Sequence, residues 1–274
     1  MRNALSVDLE DWYHVCGQSR YSDPDGWGEY ESRVTRNTEK ILEMLCLGQG
    51  PHRATFFVLG YIAEKNPALI RRIAGQGHEL AVHGYYHRRV FEMTPVEFEN
   101  DLRASIGVVE DITGEKVLGF RAPEWSIRGE AKWAFPIIAK AGLKYDSSTV
   151  PLTMMGERVY ARLPYSMETP YGPLVEFPLT TFRCLWENLP FTGGLPLRIA
   201  PYWYVCEQIR RLNARGVPAI SYIHPWEFDE SHPEIDLPFS RRFMHYFNIR
   251  STRRKMEGLL RNFRFAPVKD VLGL

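Results

Sequence analysis

Residues 4–11, with the sequence ALSVDLED, form a short apolar run that ends in an acidic cluster. A run of this length, bounded at once by charged residues, is typical of a strand buried in a sheet. Asp8, Glu10 and Asp11 then place three carboxylates within four positions. Because neighbouring like charges disfavour one another, the cluster predicts a positively charged partner where this strand ends.

Short apolar segments alternate with amphipathic segments along most of the chain. Strands separated by helices at this spacing predict a parallel α/β sheet, either open or closed into a barrel. Residues 147–200 are rich in Pro, Gly and Thr, and we expect long loops there with short β-like runs such as residues 174–179. The predicted strands are residues 4–8, 54–58, 79–82, 117–120, 143–145 and 217–223. The predicted helices are residues 36–47 (ended by Gly48), 67–74, 94–113, 130–141 and 202–215.

The bulk composition predicts one large domain that spans residues 1–274. Hydrophobic residues make up 45% of the chain and charged residues 24%, as in ordinary globular proteins. The four cysteines form no CxxC pair, and we expect them to be reduced thiols. We expect a cytoplasmic location, because the first residues lack a signal-peptide pattern and no apolar run reaches the length of a membrane-spanning helix.

The last 34 residues carry a strong positive charge. Residues 241–274 contain nine Lys or Arg residues and only two acidic residues, for a net charge of +7. One interpretation is the solvated face of a terminal helix. The alternative is a patch for an anionic polymer or for an anionic membrane surface, which would make the protein membrane-peripheral.

Reactive side chains follow five of the predicted strands. In parallel α/β folds the chemistry sits at the carboxyl ends of the strands, so these segments are expected to form one site. The segments are DLED (8–11), HGYYH (83–87), RAPEW (121–125), DSS (146–148) and HPWE (224–227).

His83 and His87 suggest a metal site. Histidines four positions apart lie on one face if their segment forms a helical turn, and a carboxylate from another strand end would complete a set that leaves open positions for water and substrate. Strand alternation places Asp8 and Glu10 on the same face. We therefore assign Glu10 as a metal ligand and Asp8 as the general base; Asp11 is either an alternative ligand or a helix or turn cap.

Three further polar residues have expected roles at this rim. Arg121 can hold Asp8 ionised and oriented, although an ordinary surface arginine is the alternative. His224 can act as the acid that protonates a leaving amine if Asp146 orients its imidazole and raises its pKa. The remaining histidines are expected to be structural: His14, His52, His78, His232 and His245.

The five segments, in this order, resemble the NodB-homology polysaccharide deacetylases of carbohydrate esterase family 4. The resemblance rests on VDLED, HGYYH, RAPEW, YDSS and YIHPWE, which span residues 6–227. Residues 228–274 resemble the C-terminal extension of a subgroup associated with bacterial exopolysaccharide and exosortase loci. The first motif departs from the commonest form, because Leu9 separates Asp8 from Glu10, as in the branch that includes certain peptidoglycan deacetylases and allantoinase-like enzymes.

The resemblance implies a deformed (β/α) barrel of about seven strands, a divalent metal, usually zinc, and removal of N-acetyl groups from the amino sugars of a polysaccharide. It also implies that a backbone N–H near Glu124 stabilises the oxyanion. Neighbouring aromatic side chains can stack on sugar rings, with core packing as the alternative. The expected substrate contacts are Trp12, Tyr13, Tyr85, Tyr86, Pro123, Glu124, Trp125 and Trp226.

Two other functions are compatible with the same residues. The first is an amidase that acts on a cyclic ureide or imide. The second is a carbohydrate-binding assembly subunit that has lost catalysis, although a pure binder does not need a base, metal ligands and an acid together. Nothing in the pattern predicts a nucleic-acid partner.

Overall fold

A mostly parallel sheet forms the centre of the computed structural model, which describes residues 1–47, 51–153 and 156–274. The strands are β1 (Arg2–Leu9), β2 (Thr55–Val58), β3 (Glu79–Val82), β4 (Gly119–Phe120), β5 (Tyr145–Asp146), β6 (Tyr165–Thr169), β7 (Gly172–Glu176), β8 (Thr181–Cys184), β9 (Glu187–Pro190), β10 (Ile220–Ile223) and β11 (Arg264–Ala266). The helices are α1 (Ser19–Ser22), α2 (Val34–Leu45), α3 (Gly60–Lys65), α4 (Pro67–Gly75), α5 (Pro95–Thr113), α6 (Ala134–Lys140), α7 (Gly194–Ile199), α8 (Tyr202–Ala214), α9 (Phe239–Tyr246), α10 (Ser251–Asn262) and α11 (Val268–Leu272).

The main sheet has the strand order β10-β1-β2-β3-β4-β5-β7-β6. Every neighbouring pair from β10 to β7 is parallel, and only β6 runs antiparallel, at the edge beside β7. β11 adds to the first residues of β1, while β8 and β9 form a separate hairpin. This arrangement confirms the predicted mixed α/β fold with a mostly parallel central sheet.

The sheet curves so that its two ends approach each other. On the outer side of β10, Gly193 bridges Tyr222 in parallel. The backbone N–H of Ile220 also donates to Thr180 Oγ1 at 2.7 Å, and Thr180 follows β7 along the chain. These ends are therefore joined by one β-bridge and a side-chain hydrogen bond instead of a complete ladder of backbone hydrogen bonds, as expected for a deformed barrel.

Helix α5 shows how the local sequence sets the elements. Thr94 and Glu97 form a reciprocal capping box at its start, and Gly114 ends it with φ of 72°. Its buried residues recur at helical spacing and include Phe98, Leu102 and Val109. Because one apolar stripe faces the sheet, the helix covers β3 and leaves its charged face in solvent.

One prediction about elements needs correction, and one cannot be compared. Residues 147–200 lie mostly outside helices and strands, as predicted, but they also contain β6 to β9 and α7, whose pairing depends on partners distant in the sequence. The helix predicted for residues 130–141 is a 3₁₀ turn, Gly129–Trp133, followed by α6, because Pro136 lacks an N–H and fits only the first turn of a helix. Gly48, the predicted end of α2, lies outside the described residues.

Residues 228–274 are part of the same structure. β11 pairs with β1, and α10 buries Met256, Leu259 and Leu260. Lys255 on α10 donates to three backbone carbonyls at the end of α7, so this cation is engaged internally. Over residues 1–47, 51–153 and 156–274, no helix combines the length and the apolar character that crossing a bilayer requires.

Candidate active site

The carboxyl ends of β1, β3, β4 and β10 surround a cleft of about 150 Å³. A larger cavity of about 680 Å³ lies at the opposite side of β1, near Arg2 and Arg264, and none of the strand-end segments contributes to it. The chemistry is therefore in the smaller cleft. Its lining residues are Asp8, Glu10, Trp12, His14, Val15, His83, His87, Ala122, Glu124, Trp125, His224, Trp226 and His245.

Glu10, His83 and His87 form a buried group whose ligand atoms all lie within 4.8 Å of one another. The carboxylate Oε2 of Glu10 lies 2.7 Å from His87 Nε2 but has no hydrogen-bond partner. Two electron-pair donors facing each other at this distance are the arrangement that a cation between them would stabilise. The three side chains fit a divalent metal of the two-histidine, one-carboxylate type.

The outer nitrogens of both histidines support this assignment. His83 Nδ1 lies 2.7 Å from the backbone carbonyl of Arg121, and His87 Nδ1 lies 3.3 Å from Cys16 Sγ. The Cys16 thiol itself donates to the His87 carbonyl, so its sulfur can accept from Nδ1. Protonation at Nδ1 leaves each Nε2 with a lone pair for a metal. Metal-binding histidines usually donate their other ring N–H to such a partner.

Burial and charge tune the same groups. Burial lowers the pKa of His83 to about 4, which keeps its imidazole neutral at physiological pH. Burial alone would raise the pKa of Glu10, but His87, His224 and His83 outweigh it and hold that pKa well below its ordinary value. Burial opposes a charge on His87, but the neighbouring Cys16 and Glu10 raise its pKa well above the ordinary value, so a metal would replace a proton there. The site thus offers an ionised carboxylate at Glu10 and a neutral imidazole at His83, the forms in which these groups bind metals.

The HGYYH segment does not form a helical turn, which was the condition under which the spacing alone would bring its two histidines together. Gly84 has φ of 78° and His87 has φ of 52°, both in the left-handed region. These two residues turn the backbone so that the His83 and His87 rings lie 5.3 Å apart between centroids. Glu124 and Trp125 also have positive φ, 49° and 48°. Such values cost energy for residues other than glycine and are concentrated at functional sites.

Asp8 and Arg121 form a buried ion pair beside the candidate metal ligands. Arg121 Nη1 donates to Asp8 Oδ1 at 2.7 Å and to Ser6 Oγ at 2.8 Å. The guanidinium lies 4.1 Å from the centre of the Phe57 ring. Arg121 is only 2% exposed, so the surface-arginine alternative is wrong. The fixed guanidinium orients the carboxylate and favours its charged form.

Asp146 does not orient His224, and this prediction is corrected. Ser148 Oγ donates to Asp146 Oδ1 at 2.6 Å, and burial raises the pKa of the Asp146 carboxyl, which lies beside Glu176. The next residue, Ser147, accepts Arg121 Nη2 at its hydroxyl and Arg121 Nε at its carbonyl. Asp146 therefore stabilises the turn that holds Arg121, and its link to the cleft is indirect.

Glu227 occupies the position expected for Asp146. Its Oε1 lies 2.8 Å from His224 Nδ1 and accepts the His224 backbone N–H at 3.2 Å. Burial opposes a charged imidazole, but the hydrogen bond with Glu227 and the charges of Glu10 and Asp8 raise the pKa of His224. His224 Nε2 faces the cleft, 3.9 Å from Asp8 Oδ2 and 3.5 Å from Glu10 Oε1.

Asp11 is a helix cap, and the alternative role as a metal ligand is wrong. Its Oδ2 accepts the backbone N–H groups of Arg33 and Val34 at the start of α2, together with the Ser32 hydroxyl. Its Oδ1 accepts from Trp12 N–H at 3.0 Å. The strand alternation that brings Asp8 and Glu10 into the cleft turns Asp11 toward the helix dipole instead.

The expected substrate-contact residues divide into two groups. Trp125 and Glu124 line the cleft and are partly exposed, and Arg89 holds Glu124 by an ion pair of 2.7 Å. Trp12 and Trp226 also line it but are almost fully buried, and Trp226 Nε1 donates to Glu10 Oε1 at 3.2 Å. The remaining four are outside the lining: Tyr13 and Pro123 are buried, and Tyr85 and Tyr86 pack on each other.

The sequence did not predict a role for two cleft residues, His14 and His245, or for the buried Glu227 beside the cleft. His14 accepts Asp11 N–H, and burial lowers its pKa to about 3. His245, on α9, stacks on Trp226 with ring centres 4.1 Å apart, and its buried Nε2 has no hydrogen-bond partner. Only Glu227 had a local signal, a proline and a glutamate at capping-box spacing after His224.

The curved parallel sheet and the strand-end site define a deformed α/β barrel with one candidate active site. Residues 25–145 match the model of the polysaccharide deacetylase family, and residues 147–273 match a domain of unknown function (DUF3473). Residues 25–145 therefore form a polysaccharide deacetylase domain of the NodB-homology type, carbohydrate esterase family 4. The two matched regions meet between β5 and β6, although β5 pairs with β7 across that boundary.

Two bacterial relatives are similar to part of the chain. The peptidoglycan deacetylase of Helicobacter pylori is 29% identical over 120 residues, which cover 42% of this chain and 40% of that protein. The peptidoglycan-N-acetylglucosamine deacetylase of Bacillus cereus is 34% identical over 98 residues, which cover 35% of each protein. The chain therefore spans two fifths or less of the length of these relatives.

Solved structures confirm the fold over almost the whole chain. A Mycobacterium smegmatis protein assigned as a polysaccharide deacetylase superposes with a TM-score of 0.61 at 21% identity, covering 100% of this chain and 90% of that one. The PuuE allantoinase gives a TM-score of 0.63 at 16% identity, with coverage of 98% and 87%. At these identities the similarity establishes the architecture alone.

Proposed function

We propose that this protein is a metal-dependent hydrolase, with zinc as its ion, that removes N-acetyl groups from the amino sugars of a bacterial exopolysaccharide or its precursor. The observation that carries the proposal is the meeting of three groups in one cleft. These are the Glu10, His83 and His87 ligand set, the Asp8–Arg121 pair and the His224–Glu227 pair. The names of the relatives, which include peptidoglycan and chitooligosaccharide deacetylases, support this class of substrate.

A divalent ion held by Glu10, His83 and His87 would polarise the acetamide carbonyl and acidify a water molecule at neutral pH. Asp8 is placed to take the proton from that water, because Arg121 fixes the carboxylate at the edge of the same cleft. A backbone N–H near Glu124 is the candidate donor to the oxyanion, a contribution of about 3 kcal/mol for one donor.

His224 completes the reaction from the other side of the cleft. Its Nδ1 is held by Glu227, which leaves Nε2 directed at the reacting groups. The raised pKa of His224 favours the protonated imidazole, which can give a proton to the sugar nitrogen as the carbon–nitrogen bond breaks. Acetate and the free amino sugar are then the products, and Asp8 returns its proton to solvent.

The size of the cleft suits a second activity as well as the first. About 150 Å³ is enough for an acetamide group and part of a sugar ring, and it also suits a small cyclic ureide or imide. A non-sugar amidase is therefore the second candidate. The presence of base, ligands and acid together opposes a purely carbohydrate-binding role.

The deciding experiment measures acetate release from N-acetylated oligosaccharides by the metal-loaded full chain. Chelation should abolish release, and Asp8→Asn should reduce it at least 100-fold, at the low end of general-base effects of about 10²–10⁴, with the bound metal retained. A protein with full metal occupancy that is inactive on a broad panel of amino sugars would overturn the proposal. Preferential turnover of cyclic ureides would establish the second candidate.

Metal binding has a readout that does not depend on activity. Zinc at 100 times its dissociation constant should stabilise the folded chain by about 2.7 kcal/mol, measured as a shift of the unfolding transition. His83→Ala should lose this stabilisation, whereas Asp8→Asn should keep it. If zinc shifts the unfolding transition equally in both variants, the assignment of His83 as a metal ligand is wrong.

A further inference from the structure

A second cleft, of about 420 Å³, lies in the region that matches the domain of unknown function. It is bounded by β8, by α8 and by the segment before β6. Phe182 and Tyr204 form one wall, with ring centres 5.3 Å apart in an edge-to-face contact. Four arginines line the remaining surface: Arg162, Arg183, Arg211 and Arg215.

The charge of this cleft is largely uncompensated. Arg162 donates to the carbonyl and hydroxyl of Thr181, which fixes its guanidinium without neutralising it. Arg211 is paired with Glu207 at 2.7 Å, but no acidic side chain is among the residues described around the cleft. Burial and the neighbouring charges of Arg183 and Arg215 lower the pKa of Arg162. A concave site with clustered guanidinium groups is suited to an anion such as a phosphate ester.

The hairpin beside this cleft ends in two large apolar residues. Leu185 and Trp186 join β8 to β9 and are 76% and 72% exposed. Leu185 has φ of 54°, a conformation that glycine or asparagine adopts far more readily in such a turn. The sequence therefore keeps an exposed leucine at a position where it is conformationally costly.

The base of the hairpin is fixed, so the exposure of its tip is a property of the fold. Phe182 packs against Phe191 and Tyr204, and Asn188 Nδ2 donates to the Pro151 carbonyl at 2.7 Å. Arg183 stands between this base and the apolar tip, and its side chain is exposed. The tip thus projects directly beyond the arginine cleft.

We propose that the hairpin tip and the arginine cleft form a docking surface for an anionic lipid bilayer. Tryptophan and leucine partition into the membrane interface, and arginines bind the phosphates of lipid headgroups. The hairpin tip therefore suits the apolar side of the interface, and the arginine cleft suits the headgroup layer. The charge complementarity selects lipid phosphate as the occupant. This docking is independent of the deacetylase activity.

The basic tail is the competing location for such contact. Many of its cations are already engaged: Arg242 pairs with Glu234, Arg250 with Glu230 and Arg253 with Glu257. Lys255 is bound to carbonyls. The charge of residues 241–274 is therefore less available than the sequence count of +7 indicates, and the cleft is the better candidate.

The test is co-sedimentation of the full chain with phosphatidylcholine vesicles, with and without phosphatidylglycerol, at low and high salt. Binding should require the anionic lipid and weaken as salt rises. Trp186→Ser and the double variant Arg183→Glu/Arg215→Glu should each bind at least ~10-fold more weakly. Leu185→Gly removes the apolar side chain while relieving the turn, so it should fold well and also bind less.

Two matched variants control for charge and for exposed apolar surface. Arg254→Glu changes an exposed arginine on α10, and Phe239→Ser changes a phenylalanine on α9 that is 85% exposed. Both should bind vesicles as the unchanged protein does. The proposal is overturned if the unchanged protein does not bind at low salt, or if the control variants lose binding and the hairpin variants keep it. Binding of inorganic pyrophosphate without vesicle binding would also overturn it and assign the cleft to a soluble anion.

Discussion

His224 and Glu227 form a hydrogen-bonded pair at the start of one 3₁₀ turn, Pro225–Phe228, which His224 caps. His224 Nδ1 lies 2.8 Å from Glu227 Oε1, and the same oxygen accepts the His224 backbone N–H. Asp146, at the end of β5 and outside the cleft lining, instead belongs to a network with Ser148 and Glu176. The residue that positions the His224 imidazole thus comes from the same short segment as His224.

Replacement of Glu227 by glutamine tests this pairing. Glu227→Gln keeps the size of the side chain but weakens its hold on His224 Nδ1, so kcat should fall about 100-fold. Asp146→Asn is the matched comparison and should reduce kcat less, because its effect on the cleft passes through Arg121. Metal content and the thermal unfolding of both variants should be measured alongside. A larger loss of kcat in Asp146→Asn would return the orienting role to Asp146.

Asp11 offers a test that separates a structural carboxylate from a metal ligand. Asp11→Ala leaves the Ser32 hydroxyl and the first N–H groups of α2 without their acceptor, which should lower the free energy of unfolding by about 1–3 kcal/mol. Zinc affinity should not change, since Asp11 points away from the ligand group. Denaturant titration and metal titration measure the two effects. A loss of zinc affinity with unchanged stability would contradict the capping role.

The unpartnered imidazole of His245 predicts a contact with substrate. Its Nε2 is buried at the cleft beside Trp226 and has no hydrogen bond in the protein. His245→Ala should therefore raise KM about 10-fold with a smaller effect on kcat, as expected for the loss of one neutral hydrogen bond. His52 is a matched control, because its buried Nε2 is also unpartnered but lies near Phe265, away from the cleft. An equal rise in KM for His52→Ala would show that the effect is not specific.

The buried carboxyl of Glu176 predicts an unusual dependence of stability on pH. Burial and the adjacent Asp146 carboxyl raise the pKa of Glu176 well above 4.5, its ordinary value, so the folded protein keeps a proton that the unfolded chain releases. The contribution of this group is fully present below that ordinary value and is lost as pH rises toward the raised pKa. Acidic conditions thus favour the folded state at this position.

Glu176→Gln should cancel this pH dependence. The amide can donate to Asp146 as the protonated acid does but has no proton to release, so the variant should gain about 1.4 kcal/mol over the unchanged protein for each pH unit in that interval. Glu168→Gln, on the exposed face of β6, is the control and should give no such trend. Urea unfolding between pH 5 and pH 8 measures the difference. A constant difference across that range would show that Glu176 is ionised in the folded state.

The alternation of strands and helices could be predicted from the sequence, because strand periodicity and helix ends depend on residues close together in the chain. Period-two alternation on β1 brought Asp8 and Glu10 to one face, and glycines and a capping box marked the helix ends around α5. Of the strands in residues 147–200, the sequence indicated a β-like run at residues 174–179, which overlaps β7; the others were missed because their short runs are interrupted by proline and glycine. Their stability comes from pairing with β5 and from packing across the molecule, which no local window records.

Of the candidate site, the sequence determined the residue types and the edge of the sheet where they meet. The acidic cluster, the two histidines, Arg121 and His224 each follow a strand, and parallel strands bring their carboxyl ends to one side. Which groups pair depends on the tertiary structure: Glu227 binds His224, Asp11 caps α2, and His245 on α9 lines the cleft. Hydrogen-bond partners depend on distances and directions between elements that only the packed molecule fixes, whereas strand order and alternation follow from the chain itself.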